Sequence, residues 1–221
     1  FYTAYSDYED GMKLVKELYR TIAKEVFGTT TFSTRGHTFN LDDEWEIIRY
    51  QSEILKQTGL DIDTATDEEI VKKLQDLKVK YDGTNRERLT DTLWKYCRKN
   101  IAGPAFLIDH PVLVAPLAKL NADGKTVQQF QPILGGSELG RGYSELNDPL
   151  DQRKRFEVQQ KLLEGGDEEA MMADWEFVEM LEHGMPPTCG FGFGERLFAF
   201  FMDKPIRETQ YFPLVKPKEN N

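Results

Sequence analysis

Residues 135–148, GGSELGRGYSELND, constrain this chain more than any other stretch. They carry two carboxylates, Glu138 and Glu145, seven residues apart among the glycines Gly135, Gly136, Gly140 and Gly142. In a regular strand, residues an odd number apart point to opposite faces of the sheet. One pocket can receive both glutamates only if the strand bulges between them, and Gly140 and Gly142 permit that. Glycines also let a ligand come close to the backbone. Asp148 followed by Pro149 predicts a helix start, with the aspartate as N-cap and the proline in the first turn. A twisted hairpin strand with surface glutamates has the same residue types, so this stretch alone leaves both readings open.

Residues 186–197, PPTCGFGFGERL, narrow the choice. Gly190, Gly192 and Gly194 alternate with Phe191 and Phe193, so one strand face is bare and the other aromatic. Glu195-Arg196 then opens a short apolar helix. An arginine at a strand-to-helix junction is placed to hold a phosphate.

Together these stretches resemble the C-terminal half of a class II lysyl-tRNA synthetase, and the likeness runs through most of the chain. FYTAYSDYED at residues 1–10 resembles the segment that leaves the second class-defining motif. HPVLVAPLAK at 110–119 resembles the family's P-x-x-x-S-P-L-A turn, with Ala115 for the usual serine. GGSELGRGYSELNDPLDQ, GDEEA, EHGMPPT, the glycine strand with Arg196, and a tail through Ile206, Arg207, Glu208, Phe212 and Pro213 follow in the family's order.

The resemblance implies an α+β fold, an antiparallel sheet flanked by helices, over residues 1–221, with a helical insertion at 41–103. It implies a lysine–tRNA ligase that makes lysyl-adenylate from L-lysine and ATP with Mg2+, then transfers lysine to tRNA(Lys). A homodimer in the full-length protein and a cytoplasmic, non-membrane setting go with it. Lysine selection needs a buried carboxylate for the ammonium, and Glu145 matches the glutamate of the SELND signature. Tyr2 matches a tyrosine lining the lysine pocket, and Arg141 lies near the amino acid. Arg196, the catalytic candidate, matches the γ-phosphate arginine; Gly194 and Glu138 join it on the ATP side, and Glu138 and Gln131 on the metal side.

Four positions depart from the family pattern. Gln131 stands where a second metal-binding glutamate is usual, and an amide oxygen brings no charge to Mg2+. Arg141 replaces an asparagine and could grip a carboxylate or phosphate, or fill the pocket. Ser137 stands where arginine is common, and the run from Thr188 to Arg196 is one residue short. The α-phosphate arginine, the dimer motif and the anticodon-binding barrel would all precede Phe1. The chain therefore reads as a fragment that activates lysine poorly by itself. The competing readings are a paralogue that lysylates a protein, though such paralogues usually alter SELND, and a non-catalytic module derived from a synthetase.

Composition bounds the rest. A net charge of −10 argues against general nucleic-acid binding by this segment. Cys97 and Cys189 lack metal-ligand spacing and read as free thiols; His37, His110 and His183 show no metal spacing either, and His110 and His183 read as structural. Periodicity predicts a strand over 1–8 and a helix from Glu9 or Asp10 to about 27, ended by Gly28. A hairpin follows over 29–39, turning at Arg35-Gly36. Charged helices are predicted at about 44–57, 67–77 and 85–99, with capping boxes at Thr66/Glu69 and Thr84/Glu87. Strands follow at 104–108, 130–135 and 137–146, then helices at 149–163 and 167–183, the latter burying Met171, Trp175, Val178 and Leu181.

Overall fold

A computed structural model describes residues 1–81, 83, 85–166 and 170–214. Its spine is one sheet that starts with the short strand β1 (Tyr2–Ala4). Helix α1 (Tyr8–Ile22) follows, capped by Asp7, whose side chain accepts from the Glu9 and Asp10 amides. A π-helical turn, Ala23–Phe27, prolongs it to Gly28. Strands β2 (Thr31–Thr34) and β3 (His37–Asn40) form a separate antiparallel hairpin, turning at Arg35-Gly36 as predicted.

The next segment departs from expectation. The helix predicted from about residue 44 begins only at Tyr50, because β4 (Glu46–Arg49) is a strand paired in parallel with β5 (Ala105–Pro111). The β-branched pair Ile47-Ile48 suits extended backbone, and Ile48 is buried. Residues 41–103 are thus not wholly outside the sheet. Between β4 and β5 run α2 (Tyr50–Thr58), α3 (Asp67–Asp76) and α4 (Arg86–Cys97). The Thr66/Glu69 capping box forms as predicted. Thr84 lies outside the described residues, and Asn85 caps α4 by accepting from the Arg88 amide.

Strands β6 (Thr126–Leu134), β7 (Ser137–Glu138) and β8 (Arg141–Ser144) come next, then α5 (Pro149–Glu164), α6 (Trp175–Glu182), β9 (Thr188–Gly192) and α7 (Arg196–Phe201). The sheet order is β1-β9-β8-β6-β5-β4, with β7 hydrogen-bonded to β6. Every pairing except β4–β5 is antiparallel, so the fold is α+β as predicted. Asp148 caps α5 with Pro149 in its first turn. Helix α6 starts later than predicted because Asp174 caps it, accepting from the Phe177 amide. Trp175 consequently falls in its first turn and is 45% exposed, whereas Val178 and Leu181 are buried as expected.

The two sheet faces differ in kind. On one, α1 packs over strands that bear Phe130 and Phe191, stacked at 5.6 Å, and α7 joins the same core through the hairpin rings Phe32 and Phe39. Each such ring fully buried stabilises the fold by about 1.5–3 kcal/mol. On the other face, α2 and α4 cover only the β4–β6 end, through Ile54, Leu93, Trp94, Leu107 and Ile133. Strands β8, β9 and β1 are left with glycines, tyrosines and an arginine on that face, and the candidate site lies there.

Candidate active site

Pairing fixes which side chains share the open face. Tyr2 stands opposite Gly190, Gly190 opposite Tyr143, and Gly192 opposite Arg141. Tyr143 faces Gln129 and Glu138 faces Ile133. Alternation then puts Tyr2, Gln131, Glu138, Arg141, Tyr143 and Glu145 on one side.

Glu138 and Glu145 share that side because the strand breaks between them. Leu139 and Gly140 both turn toward the aromatic core. Leu139 is buried there, and its carbonyl accepts from the Tyr19 hydroxyl. Gly140 sits at φ 154°, and a Cβ on it would stand 2.5 Å from the Phe191 ring. Only glycine suits both that dihedral and that contact.

Glu145 lies over the bare strand. A Cβ added to Gly190 would run into Glu145 Oε1 and come within 2.8 Å of the Tyr2 ring. The missing side chain is therefore what makes room for the carboxylate and the ring together. Their cavity, about 460 Å³, is lined also by Tyr143, Phe156, Met171 and Asp174. Among the described residues, the Glu145 carboxylate has no ion-pair or hydrogen-bond partner. Burial pushes its pKa up to about 7, since loss of water disfavours the charged form. Burial likewise raises neighbouring Tyr143 to about 12. Tyr2 is 77% exposed and forms one wall of an open mouth.

Glu138 is in the opposite condition. Its Oε1 accepts from the buried Trp94 indole N–H at 2.6 Å, and its Oε2 lies 3.8 Å from Arg98 Nη1. Trp94 lies in the last turn of α4 and Arg98 directly follows it. Sequence reading missed them because nothing in the WKYCR pattern ties it to a strand forty residues away. Arg196, at the start of α7, is exposed and its Nη2 reaches the Glu138 carbonyl at 3.5 Å. Gly194 lies in the exposed turn before it.

Gln131 is turned elsewhere. Its Oε1 sits 2.8 Å from His110 Nε2, and both side chains are buried. Desolvation holds His110 down at about 4, so the ring is neutral and its N–H donates to the amide oxygen. That hydrogen bond turns the Gln131 amide toward His110. Among the described residues no three His, Cys, Asp or Glu side chains gather as a metal cluster. The donor set fits a magnesium ion carried mainly by phosphate oxygens and water, with Glu138 as its protein carboxylate; Gln131, a neutral amide bonded to His110, adds no charge to it.

Arg141 is exposed and has no hydrogen bond or ion pair among the described residues, so it does not neutralise Glu145. Cys97 and Cys189 are free and buried, and burial raises their thiols to about 12 and 11, which leaves them unreactive. Among the described residues no helix is long and apolar enough to cross a membrane.

Comparison with known proteins gives the family. Residues 1–216 match the family of tRNA synthetases class II (D, K and N). A lysine–tRNA ligase from Thermotoga sp. (strain RQ2) is 42% identical over 221 residues, covering 99% of this chain and 44% of the relative. Those of Roseiflexus sp. (strain RS-1) and Halalkalibacterium halodurans are 40% and 39% identical, again over 99% of this chain and 46% and 45% of their own length. The chain thus spans less than half the length of these relatives. With the whole described sheet inside the matched region, this chain belongs to the class II aminoacyl-tRNA synthetases of the D, K and N group.

Proposed function

We propose that this chain carries the amino-acid and ATP sites of a lysine–tRNA ligase. The single observation that carries the lysine assignment is Glu145: a desolvated carboxylate, without a partner among the described residues, at the base of a cavity bounded by an aromatic ring. Such a group needs a cation, and the ε-ammonium of lysine is a cation on an apolar stem. The Tyr2, Tyr143 and Phe156 rings suit the stem. The similar proteins bear the name lysine–tRNA ligase, which supports the same choice.

In this reading the lysine carboxylate attacks the α-phosphate of ATP, forming lysyl-adenylate and releasing pyrophosphate. A terminal hydroxyl of tRNA(Lys) then attacks the lysyl carbonyl and releases AMP. Glu145 and Tyr2 hold the amino acid, and Arg196 takes the γ-phosphate. Catalysis of such a transfer is mostly positioning and charge stabilisation. Magnesium arrives with ATP, and Glu138, fixed by Trp94, offers it a carboxylate. Helices α2–α4 are read as an insertion between the sheet's strands. Arg141, free of the pocket, is available to the amino-acid carboxylate or to a phosphate. A homodimer and the remaining parts of the active site belong to the same reading of the full-length protein.

Lysine-dependent pyrophosphate exchange by the full-length protein is the test. Glu145→Gln should abolish exchange at lysine concentrations that saturate the wild type. Unchanged apparent affinity for lysine would remove Glu145 from the pocket. A protein-lysylating paralogue would instead exchange pyrophosphate normally and fail to charge tRNA.

A further inference from the structure

Arg35 stands in a backbone conformation that does not suit it. It is the first residue of the Arg35-Gly36 turn between β2 and β3, at φ 53°, in the left-handed region that costs most side chains energy. Its side chain is nevertheless held on two sides. Nη1 donates to Ser137 Oγ at 2.9 Å, and the guanidinium carbon lies 5.5 Å from the centre of the Phe200 ring. Ser137 belongs to β7 and Phe200 to α7, so the guanidinium is fixed between the elements that bear Glu138 and Arg196.

Arg35 and Arg196 line one cavity of about 410 Å³, with Lys204 and Asp203 on its wall. Asp203 Oδ1 accepts from the Thr34 hydroxyl at 2.8 Å, and Lys204 Nζ lies 4.0 Å from Glu208 Oε2. Neither arginine pairs with a carboxylate among the described residues. With Lys204 answered by Glu208, the two arginines against Asp203 still leave a local excess of positive charge in a chain of net charge −10, which favours an anion. Two guanidinium forks favour an anion with several equivalent oxygens, such as a phosphate group.

We propose that Arg35 is a second phosphate-binding residue, acting with Arg196 on the terminal phosphates of ATP. The hairpin thereby brings a guanidinium to the neighbourhood of Ser137, where the strand itself carries none. Ser137 points to the α7 side of the sheet, opposite Glu138, and Arg196, which lines this cavity and reaches the Glu138 carbonyl, joins it to the face read as an ATP site; the inference rests on that reading, and the experiment separates the two. Calorimetry measures Mg-ATP and AMP binding to the wild type, Arg35→Gly and Arg196→Ala, beside urea unfolding of each.

Glycine accepts φ 53° without strain, which offsets the lost Ser137 and Phe200 contacts, so R35G should unfold at a urea midpoint close to that of the wild type. It should bind ATP about 10-fold more weakly, the loss of a charge-assisted contact, with AMP affinity within about 2-fold of the wild type. R196A should show the same selectivity. ATP binding unchanged in R35G but weakened in R196A overturns the role of Arg35 and leaves the ATP reading standing. Equal weakening of ATP and AMP in R35G makes Arg35 structural and overturns the proposal. Unchanged ATP binding in both variants overturns the ATP reading as well.

Discussion

Glu138 and Glu145 share a sheet face and a run of sequence, yet their surroundings are opposite. Glu138 is held by an indole N–H from the last turn of α4 and approached by a guanidinium from the residue that follows it. Glu145 is desolvated, bears a raised pKa, and lies over a glycine with no partner among the described residues. A carboxylate that already has donors is oriented; one that lacks them is kept ready for a cation. The first arrangement suits a group that must hold still beside phosphates, the second a group that must select a ligand by charge.

Gly190 is where this contrast breaks most easily. Gly190→Ala puts a methyl where Oε1 now lies, and the flexible Glu145 side chain can swing away from it. Unfolding free energy should fall by at most about 1–3 kcal/mol, as for a small overpacking. Lysine affinity should fall about 100-fold, as the carboxylate and Tyr2 part company. Lysine titration and urea unfolding on the same variant check this. A variant that binds lysine normally would mean that the ammonium site is elsewhere.

The Glu138 side is sharpened by Trp94→Phe, which removes the N–H and leaves a ring. Mg-ATP affinity should fall about 10-fold, as a charge-assisted hydrogen bond is lost, while lysine affinity stays within about 2-fold. Separate calorimetric titrations distinguish this from general loosening, which would weaken both ligands.

The smallest effect concerns stability and its sign. Glu145 has a folded pKa near 7, above the unfolded value of about 4.3. The folded state therefore holds the proton longer, and stability is lost as pH rises through that window. His110 has a folded value near 4, below the unfolded value of about 6.5, so its contribution is gained as pH rises through nearly the same window. The two slopes oppose each other. Glu145→Gln should leave stability unchanged near pH 4 and raise it by about 1 kcal/mol at pH 7.5, a figure discounted for partial solvent exposure. Urea midpoints across pH test it; a difference constant with pH would contradict the raised pKa.

Much of the Glu145 side was legible in the sequence. The alternating glycines of β9 announced a bare strand face, and Gly140 announced the bulge that brings both glutamates round. The Glu138 side was far less so. Its carboxylate is set by Trp94 and Arg98, which adopt their position only once α4 returns to the sheet. Gln131 faces His110 for a similar reason: a β-bulge between Ile108 and His110 decides what meets it, and no local pattern encodes that. Strand β4 was masked by charged neighbours, which read as helix until Ile47 and Ile48 are paired with β5. The late start of α6 turned on one aspartate, Asp174, competing with a longer apolar period.

The central claim is that Glu145 is a carboxylate held ready for an ammonium group, and lysine affinity as a function of pH tests it most directly. Titrating the protein with L-lysine from pH 5 to pH 8, beside Glu145→Gln, should give a wild-type affinity that rises by up to about tenfold per pH unit as Glu145 ionises. It should level off above the folded pKa of about 7, while the variant stays weak and flat throughout. A wild-type affinity independent of pH, or a variant that binds lysine as tightly as the wild type, would contradict it.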